Sequence, residues 1–101
     1  MRDLYKFENR KIKIIATVGE KGSFLKGGKK QKTRCLVNLY YHNKLLADHC
    51  WTWYTEDLKG IKKGTKILFT ATPVPYYKYV NGIRTKEFKV DNVTDIVIIS
   101  E

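Results

Sequence analysis

The sequence predicts an all-β domain of five strands, with one short helix between the third and fourth strands. Runs of β-branched and aromatic residues with a two-residue alternation dominate the chain, while helical periodicity is almost absent. A chain of 101 residues, 43% of them hydrophobic, has room for one small core. We therefore expect a single domain over residues 1–101, with residues 1–10 as either a flexible or a capping segment.

Each strand is predicted from alternation and is bounded by turn residues. The first four predicted strands cover Lys11–Val18, about Lys32–Tyr41, about Leu45–Tyr54 and Thr65–Thr72. The last strand runs from Phe88 to about Val90, or resumes at Thr94–Ile99 after Asp91-Asn92. Four glycines between residues 19 and 31 predict a loop there, and Asn43-Lys44 predicts a turn. The two prolines after the fourth strand are expected to break or bend it.

A short helical turn is predicted at Thr55–Ile61, between the third and fourth strands. Thr55 is a suitable N-cap, two acidic residues follow it, and Gly60 stands near the end of the segment.

A hairpin is predicted at Asn81-Gly82. This dipeptide between strand-forming flanks favours a type I′ turn, because both central residues need a positive φ. With a two-residue turn, Tyr79 faces Arg84 and Tyr77 faces Lys86, so aromatic rings and cations share one side of the ribbon.

The order of these elements is that of the OB-fold, a five-stranded barrel. Such barrels bind oligonucleotides on strands two and three, flanked by the loop between strands one and two and the loop between strands four and five. The sequence therefore predicts that the basic segment 21–34 and the hairpin Tyr77–Lys86, which occupy these two connections, border a binding face.

The positive charge is concentrated in those same regions. The chain has 20 Lys+Arg, 10 Asp+Glu and a net charge of +10. Residues 21–34 contain six cations and residues 59–86 contain seven, without an acidic residue in either segment. A soluble surface usually intersperses both signs, so this pattern favours a polyanionic partner over an ordinary solvated face.

Aromatic residues beside these cations favour a ligand with exposed bases. Single strands are held by cations on phosphates and by aromatic rings that stack on bases. Alternation puts Trp51 and Trp53 on one face of the third strand, without deciding whether that face is core or surface. We expect nucleic-acid contacts from Lys26, Lys29, Lys30, Lys32, Arg34, Tyr40, Trp51, Trp53, Tyr77, Tyr79, Arg84 and Lys86.

Other chemistries are poorly supported by the sequence. The two cysteines and two histidines match no zinc spacing, and Gly27-Gly28-Lys29-Lys30 lacks the pattern of a nucleotide-binding loop. His49 and Cys50 are neighbours on a predicted strand and therefore point to opposite faces. We expect a binding protein without catalytic residues, metal or cofactor. Without an apolar run, signal peptide or amphipathic helix, we expect it to be cytoplasmic and not bound to a membrane.

Several short segments resemble small OB-fold proteins of Gram-positive mobile elements. These segments are Leu46–Trp51, Lys63–Ala71, Pro75–Lys78 and Phe88–Ile96. The chain is most similar to the single-stranded DNA-binding proteins of staphylococcal cassette chromosomes, which are encoded beside a replicative helicase. The resemblance implies an OB-fold, sequence-tolerant binding of single-stranded DNA, a role in replication of the element, and the helicase as a partner.

The sequence leaves two other functions open. One is an adaptor whose aromatic residues anchor an acidic protein surface, such as that of a helicase or polymerase. The other is an RNA-binding OB module, because no feature of the sequence distinguishes a reader of 2′-hydroxyl groups from a DNA binder.

Overall fold

The five strands form one antiparallel sheet in the order β3-β2-β1-β4-β5. The structure is a computed structural model that describes residues 3–101, apart from the side chains of Phe24 and Lys26. A short 3-10 turn at Leu4–Phe7 precedes strands β1 (Ile12–Lys26), β2 (Lys29–Tyr41), β3 (Lys44–Trp53), β4 (Lys66–Val80) and β5 (Ile83–Ser100). The prediction of an all-β protein with five strands is confirmed.

The sheet curls around one core. On β1, Ile12, Ile14, Ala16 and Val18 alternate inward and are at most 5% exposed, as their spacing predicts. The edge strands β3 and β5 approach each other across this core. No ladder joins them among residues 3–101, so the described sheet is not a closed barrel.

The expected loop at residues 19–31 is instead part of a long hairpin. β1 continues to Lys26 and β2 begins at Lys29, and the two strands pair from Lys21↔Arg34 to Lys26↔Lys29. The prediction was wrong because only Gly27 and Gly28 form the turn, with φ angles of 57° and 79°. We call the paired segments 21–26 and 29–34 the β1–β2 ribbon.

The expected break at Pro73 and Pro75 is also absent, because β4 runs through both prolines to Val80. The ladder between β1 and β4 ends at Ile12↔Ala71, while β5 stays paired with β4 beyond that point. The two prolines are two residues apart, so both lack their N–H on the same side of β4. That side has no strand ladder beyond Ala71, so both prolines are tolerated there.

The helix predicted at Thr55–Ile61 is replaced by hydrogen-bonded turns. The N–H groups of Leu58 and Lys59 donate to the carbonyl of Thr55, at 3.1 and 3.0 Å. Gly60, with a φ of 86°, then ends the turn. The Thr55 hydroxyl is buried without a hydrogen-bond partner, so it does not act as a cap. A helix confined to this short segment would form too few hydrogen bonds to offset the cost of helix nucleation.

The segment before β1 packs on the sheet. Leu4 is fully buried, the Asp3 N–H donates to the carbonyl of Leu46 at 2.8 Å, and the Asn9 N–H donates to the carbonyl of Pro73 at 2.8 Å. Residues 3–9 thereby bridge β3 and β4 at one end of the core.

Candidate nucleic-acid interface

A groove of about 690 Å³ lies where the two hairpins approach β3. Every strand contributes to its wall, and we call it the aromatic groove. Its lining residues are Ser23, Leu25, Thr33, Trp51, Trp53, Tyr76, Tyr77, Lys78 and Lys89. The groove therefore combines four aromatic rings with two lysines.

Both tryptophans lie on the outward face of β3. Their neighbours Cys50 and Thr52 are buried in the core, so alternation turns Trp51 and Trp53 the other way. Trp51 is 37% exposed and Trp53 is half-buried. The Lys89 ammonium lies 4.7 Å from the ring centre of Trp53, within cation–π range.

The ring of Trp51 lies over Gly22 of β1. A Cβ atom at Gly22 would stand 2.8 Å from the Trp51 ring, closer than a carbon contact allows. Gly22 occupies a paired position in the ribbon, opposite Thr33. The absence of a side chain at Gly22 thus leaves room for the indole over β1.

The second hairpin has the predicted geometry. Asn81 and Gly82 have φ angles of 52° and 78°, and the pairs Tyr79↔Arg84 and Tyr77↔Lys86 form as expected. The Arg84 guanidinium stacks on the Tyr77 ring at 3.9 Å. We call segments 76–80 and 83–87 the β4–β5 ribbon.

The predicted residues of the β4–β5 ribbon divide into two groups. Tyr77 is half-exposed and lines the aromatic groove, whereas Tyr79 is 72% exposed and lies outside it. Lys86 lies 3.5 Å from the carboxylate of Glu8, in an exposed ion pair. Only Tyr77, with Arg84 stacked on it, is placed directly at the groove.

The predicted lysines of the β1–β2 ribbon are exposed. Lys30 and Lys32 line a second cavity of about 370 Å³, together with Lys21 and Tyr54, which we call the ribbon cavity. Lys29 is exposed beside the turn. The side chain of Lys26 lies outside the described residues.

Arg34 is not on this surface, contrary to the sequence-based expectation. It is 2% exposed, and its guanidinium donates from Nε to the carbonyl of Gly19 at 3.0 Å and from Nη2 to the carbonyl of Ile61 at 2.7 Å. Simple alternation groups Arg34 with the exposed Lys32. The pairing of β1 and β2 is irregular between Val18 and Lys21, and there the ribbon joins the curled sheet and this row of side chains becomes buried.

Tyr40 is 40% exposed, but it lies at the other end of β2, opposite Ile15 and Leu45. It lines neither the aromatic groove nor the ribbon cavity. The structure therefore does not bring Tyr40 together with the tryptophans.

The structure adds groove residues that sequence reasoning missed. Lys89, Tyr76 and Lys78 line the aromatic groove, and Lys21 lines the ribbon cavity. Burial raises the pKa of the Tyr76 hydroxyl, with Glu87 adding to the shift, so this ring is a neutral surface at physiological pH. The two prolines predict that the fourth strand ends or bends before Tyr76. The continuous pairing of β4 with β5, which brings Tyr76, Lys78 and Lys89 to the groove, is therefore not expected from the sequence.

The two thiols are poorly suited to nucleophilic chemistry. Burial raises the pKa of Cys50 far above its usual range, and burial followed by the charge of Glu20 raises the pKa of Cys35. Across residues 3–101, no three His, Cys, Asp or Glu side chains come together as a metal site. Within the same range no helix has the length and apolar character needed to cross a membrane.

Comparison of the chain with protein-family models, curated proteins and solved structures finds no match.

Proposed function

We propose that this protein binds single-stranded DNA, largely without sequence preference, in the aromatic groove. The observation that carries the proposal is the convergence of Trp51, Trp53 and Tyr77 with Lys78 and Lys89 in one open groove. Stacking on aromatic rings is tolerant of sequence, because every base has a π face, and lysines beside the rings attract the phosphates.

The sheet order supports an OB-type barrel as the scaffold. The edge strands β3 and β5 already approach each other, and pairing them would close the five strands into a barrel. The groove lies over β3 and between the β1–β2 and β4–β5 ribbons, which correspond to the loops that flank the ligand in OB-folds.

Exposed bases fit this groove better than a duplex does. In a duplex the base faces are stacked on one another, so rings such as Trp51 and Tyr77 have no free π face to cover. The preference for DNA over RNA, and a role in replicating a mobile element beside a helicase, follow from the sequence resemblance. Competition between matched DNA and RNA oligonucleotides tests that preference.

Alanine variants of the groove aromatics test the proposal. We expect Trp51→Ala and Trp53→Ala each to weaken binding of an unstructured oligonucleotide by about 1–3 kcal/mol, the cost of losing one stacked base. Fluorescence anisotropy of labelled oligothymidylate measures the change.

Tyr40→Ala is the matched control, because Tyr40 is an exposed ring outside the groove. It should bind like the wild-type protein. Equal losses in all three variants, or unchanged affinity in both tryptophan variants, would contradict the proposal. A partner protein captured equally well after nuclease treatment, without oligonucleotide binding, would favour an adaptor instead.

A further inference from the structure

A third cavity of about 370 Å³ lies at the base of the β1–β2 ribbon, next to the turn between β3 and β4. We call it the basal cavity. It is lined by Gly19, Glu20, Lys21, Arg34, Gly60, Ile61, Lys62 and Lys63. Four cationic side chains and one carboxylate give this cavity an excess of positive charge, and the prediction of binding residues from the sequence included neither Lys62 nor Lys63.

Within residues 3–101, the Arg34 guanidinium in its wall forms no direct ion pair. The side chain is almost fully buried, its two hydrogen bonds go to neutral carbonyl groups, and its Nη1 atom is buried without a hydrogen-bond partner. A buried cation without an anion is unfavourable, and an unsatisfied buried donor adds to that cost. An oxyanion in the basal cavity would offset the charge.

Glu20 compensates only part of this charge. It is an exposed side chain that forms an ion pair with Lys63, and Lys63, with a smaller effect of Arg34, lowers its pKa. Glu20 is therefore ionised and competes with any incoming anion. The remaining charge still favours an anion, because Lys21, Lys62 and Arg34 line the same cavity.

The basal cavity shares a lining residue with the ribbon cavity, which in turn shares two with the aromatic groove. Lys21 lines both the basal cavity and the ribbon cavity, while Ser23 and Thr33 line both the ribbon cavity and the aromatic groove. A flexible strand that leaves the groove along the ribbon would therefore pass Lys32 and Lys21 before it reaches Lys62.

We propose that the basal cavity binds a backbone phosphate of the same strand whose bases stack in the aromatic groove. This inference rests on the proposed function and extends its site from the two ribbons to the turn between β3 and β4. The phosphate lies among Lys21, Lys62 and Lys63, against the wall that contains Arg34.

The double variant Lys62→Gln/Lys63→Gln tests this assignment. Removing one lysine–phosphate interaction from a single-strand complex reduces the slope of log K against log salt by about 0.7. We therefore expect a reduction of about 0.7–1.4 and a several-fold loss of affinity. Quenching of tryptophan fluorescence at saturation should stay unchanged, because Trp51 and Trp53 lie in the aromatic groove.

The matched control is Lys11→Gln/Lys13→Gln, which removes two exposed lysines that line none of the three cavities. It corrects for the general effect of net charge. Equal slopes for the two double variants, in a protein that binds with tryptophan quenching, would overturn the inference and leave the proposed function intact. A wild-type protein that binds no oligonucleotide would overturn the proposed function itself.

Neutralising Glu20 should have the opposite effect. Glu20→Gln removes the competing carboxylate, so we expect tighter oligonucleotide binding and a steeper salt slope than in Asp95→Asn, which removes a charge elsewhere, on β5. An equal effect of the two variants would contradict the assignment.

Inorganic phosphate distinguishes a strand phosphate from a free anion. Suppose that millimolar inorganic phosphate raises the melting temperature of the wild type but not of Lys62→Gln/Lys63→Gln, while both proteins bind oligonucleotide with equal salt slopes. That result would identify a free-anion site and overturn the strand assignment.

Discussion

At the scale of single residues, the aromatic groove depends on the contact between Gly22 and Trp51. The indole reaches across β2 and lies over β1 at Gly22, where no side chain obstructs it. A strand glycine usually weakens a sheet, because glycine loses more backbone entropy on folding than other residues and has no side chain to pack. Here the same glycine makes room for the Trp51 ring, which remains 37% exposed.

We predict that Gly22→Ala weakens oligonucleotide binding by about 1–3 kcal/mol, as the added methyl group displaces the Trp51 ring from its position over β1. Anisotropy titration measures the loss, and the tryptophan emission spectrum reports the moved ring. In a Trp51→Ala background the same substitution should have no further effect on affinity. If Gly22→Ala weakened binding as much in the Trp51→Ala background as in the wild type, Gly22 would act independently of Trp51.

Arg34 shows the limit of strand alternation as a guide to function. The sequence predicts an exposed cation at Arg34, but the guanidinium instead links the carbonyls of Gly19 and Ile61, which belong to β1 and to the turn after β3. Arg34 shares a face of β2 with Leu36, which is buried in the core, so this row of side chains is buried where the ribbon joins the curled sheet.

We predict that Arg34→Ala lowers the free energy of unfolding by about 1–3 kcal/mol, because it removes the donors of two partly or fully buried carbonyl groups. Urea denaturation followed by circular dichroism measures this change. The exposed neighbour Lys32→Ala is the control and should change stability by no more than about 0.5 kcal/mol. Equal stability of the two variants would mean that the Arg34 hydrogen bonds do not hold the turn.

The two ribbons are the elements that position the groove, and the sequence predicts one of them much better than the other. Asn81-Gly82 is a compact turn signal, and it predicts the register of the β4–β5 ribbon correctly. The long hairpin of β1 and β2 contains four glycines with different roles, of which only Gly27 and Gly28 form its turn. Composition alone does not separate a turn glycine from one that makes room for an indole.

The β4–β5 ribbon predicts a ranking of its two exposed tyrosines. Tyr77 lines the groove with Arg84 stacked on one face, whereas Tyr79 lies further out. We expect Tyr77→Ala to weaken oligonucleotide binding by about 1–3 kcal/mol and Tyr79→Ala to weaken it less. Parallel titrations of the two variants check this order, and a larger effect of Tyr79→Ala would place the strand outside the groove.

At the scale of the whole molecule, the sequence predicts the strand content and the basic flanks, while the structure defines the groove itself. Strand content follows from local alternation, so it is readable in residues such as Ile12, Ile14 and Val18. The meeting of Trp53 with Lys89 depends on how β3 and β5 approach across the core. That approach is a long-range property, which the residues of either strand alone do not encode.

The cavities show where part of the net charge of +10 is concentrated. Lys21, Lys30 and Lys32 border the ribbon cavity, and Lys78 and Lys89 border the aromatic groove. A strand that binds these lysines releases condensed counterions, so its affinity should depend steeply on salt.

The most direct test of single-strand binding is a titration of the wild-type protein with labelled oligothymidylate and a duplex of equal length across a series of salt concentrations. We predict micromolar or tighter binding of the single strand, with quenched tryptophan fluorescence. The slope of log K against log salt should be about −3, as expected for roughly four phosphate contacts. The duplex should bind more weakly and without quenching. Salt-insensitive binding, or a preference for the duplex, would contradict the proposal.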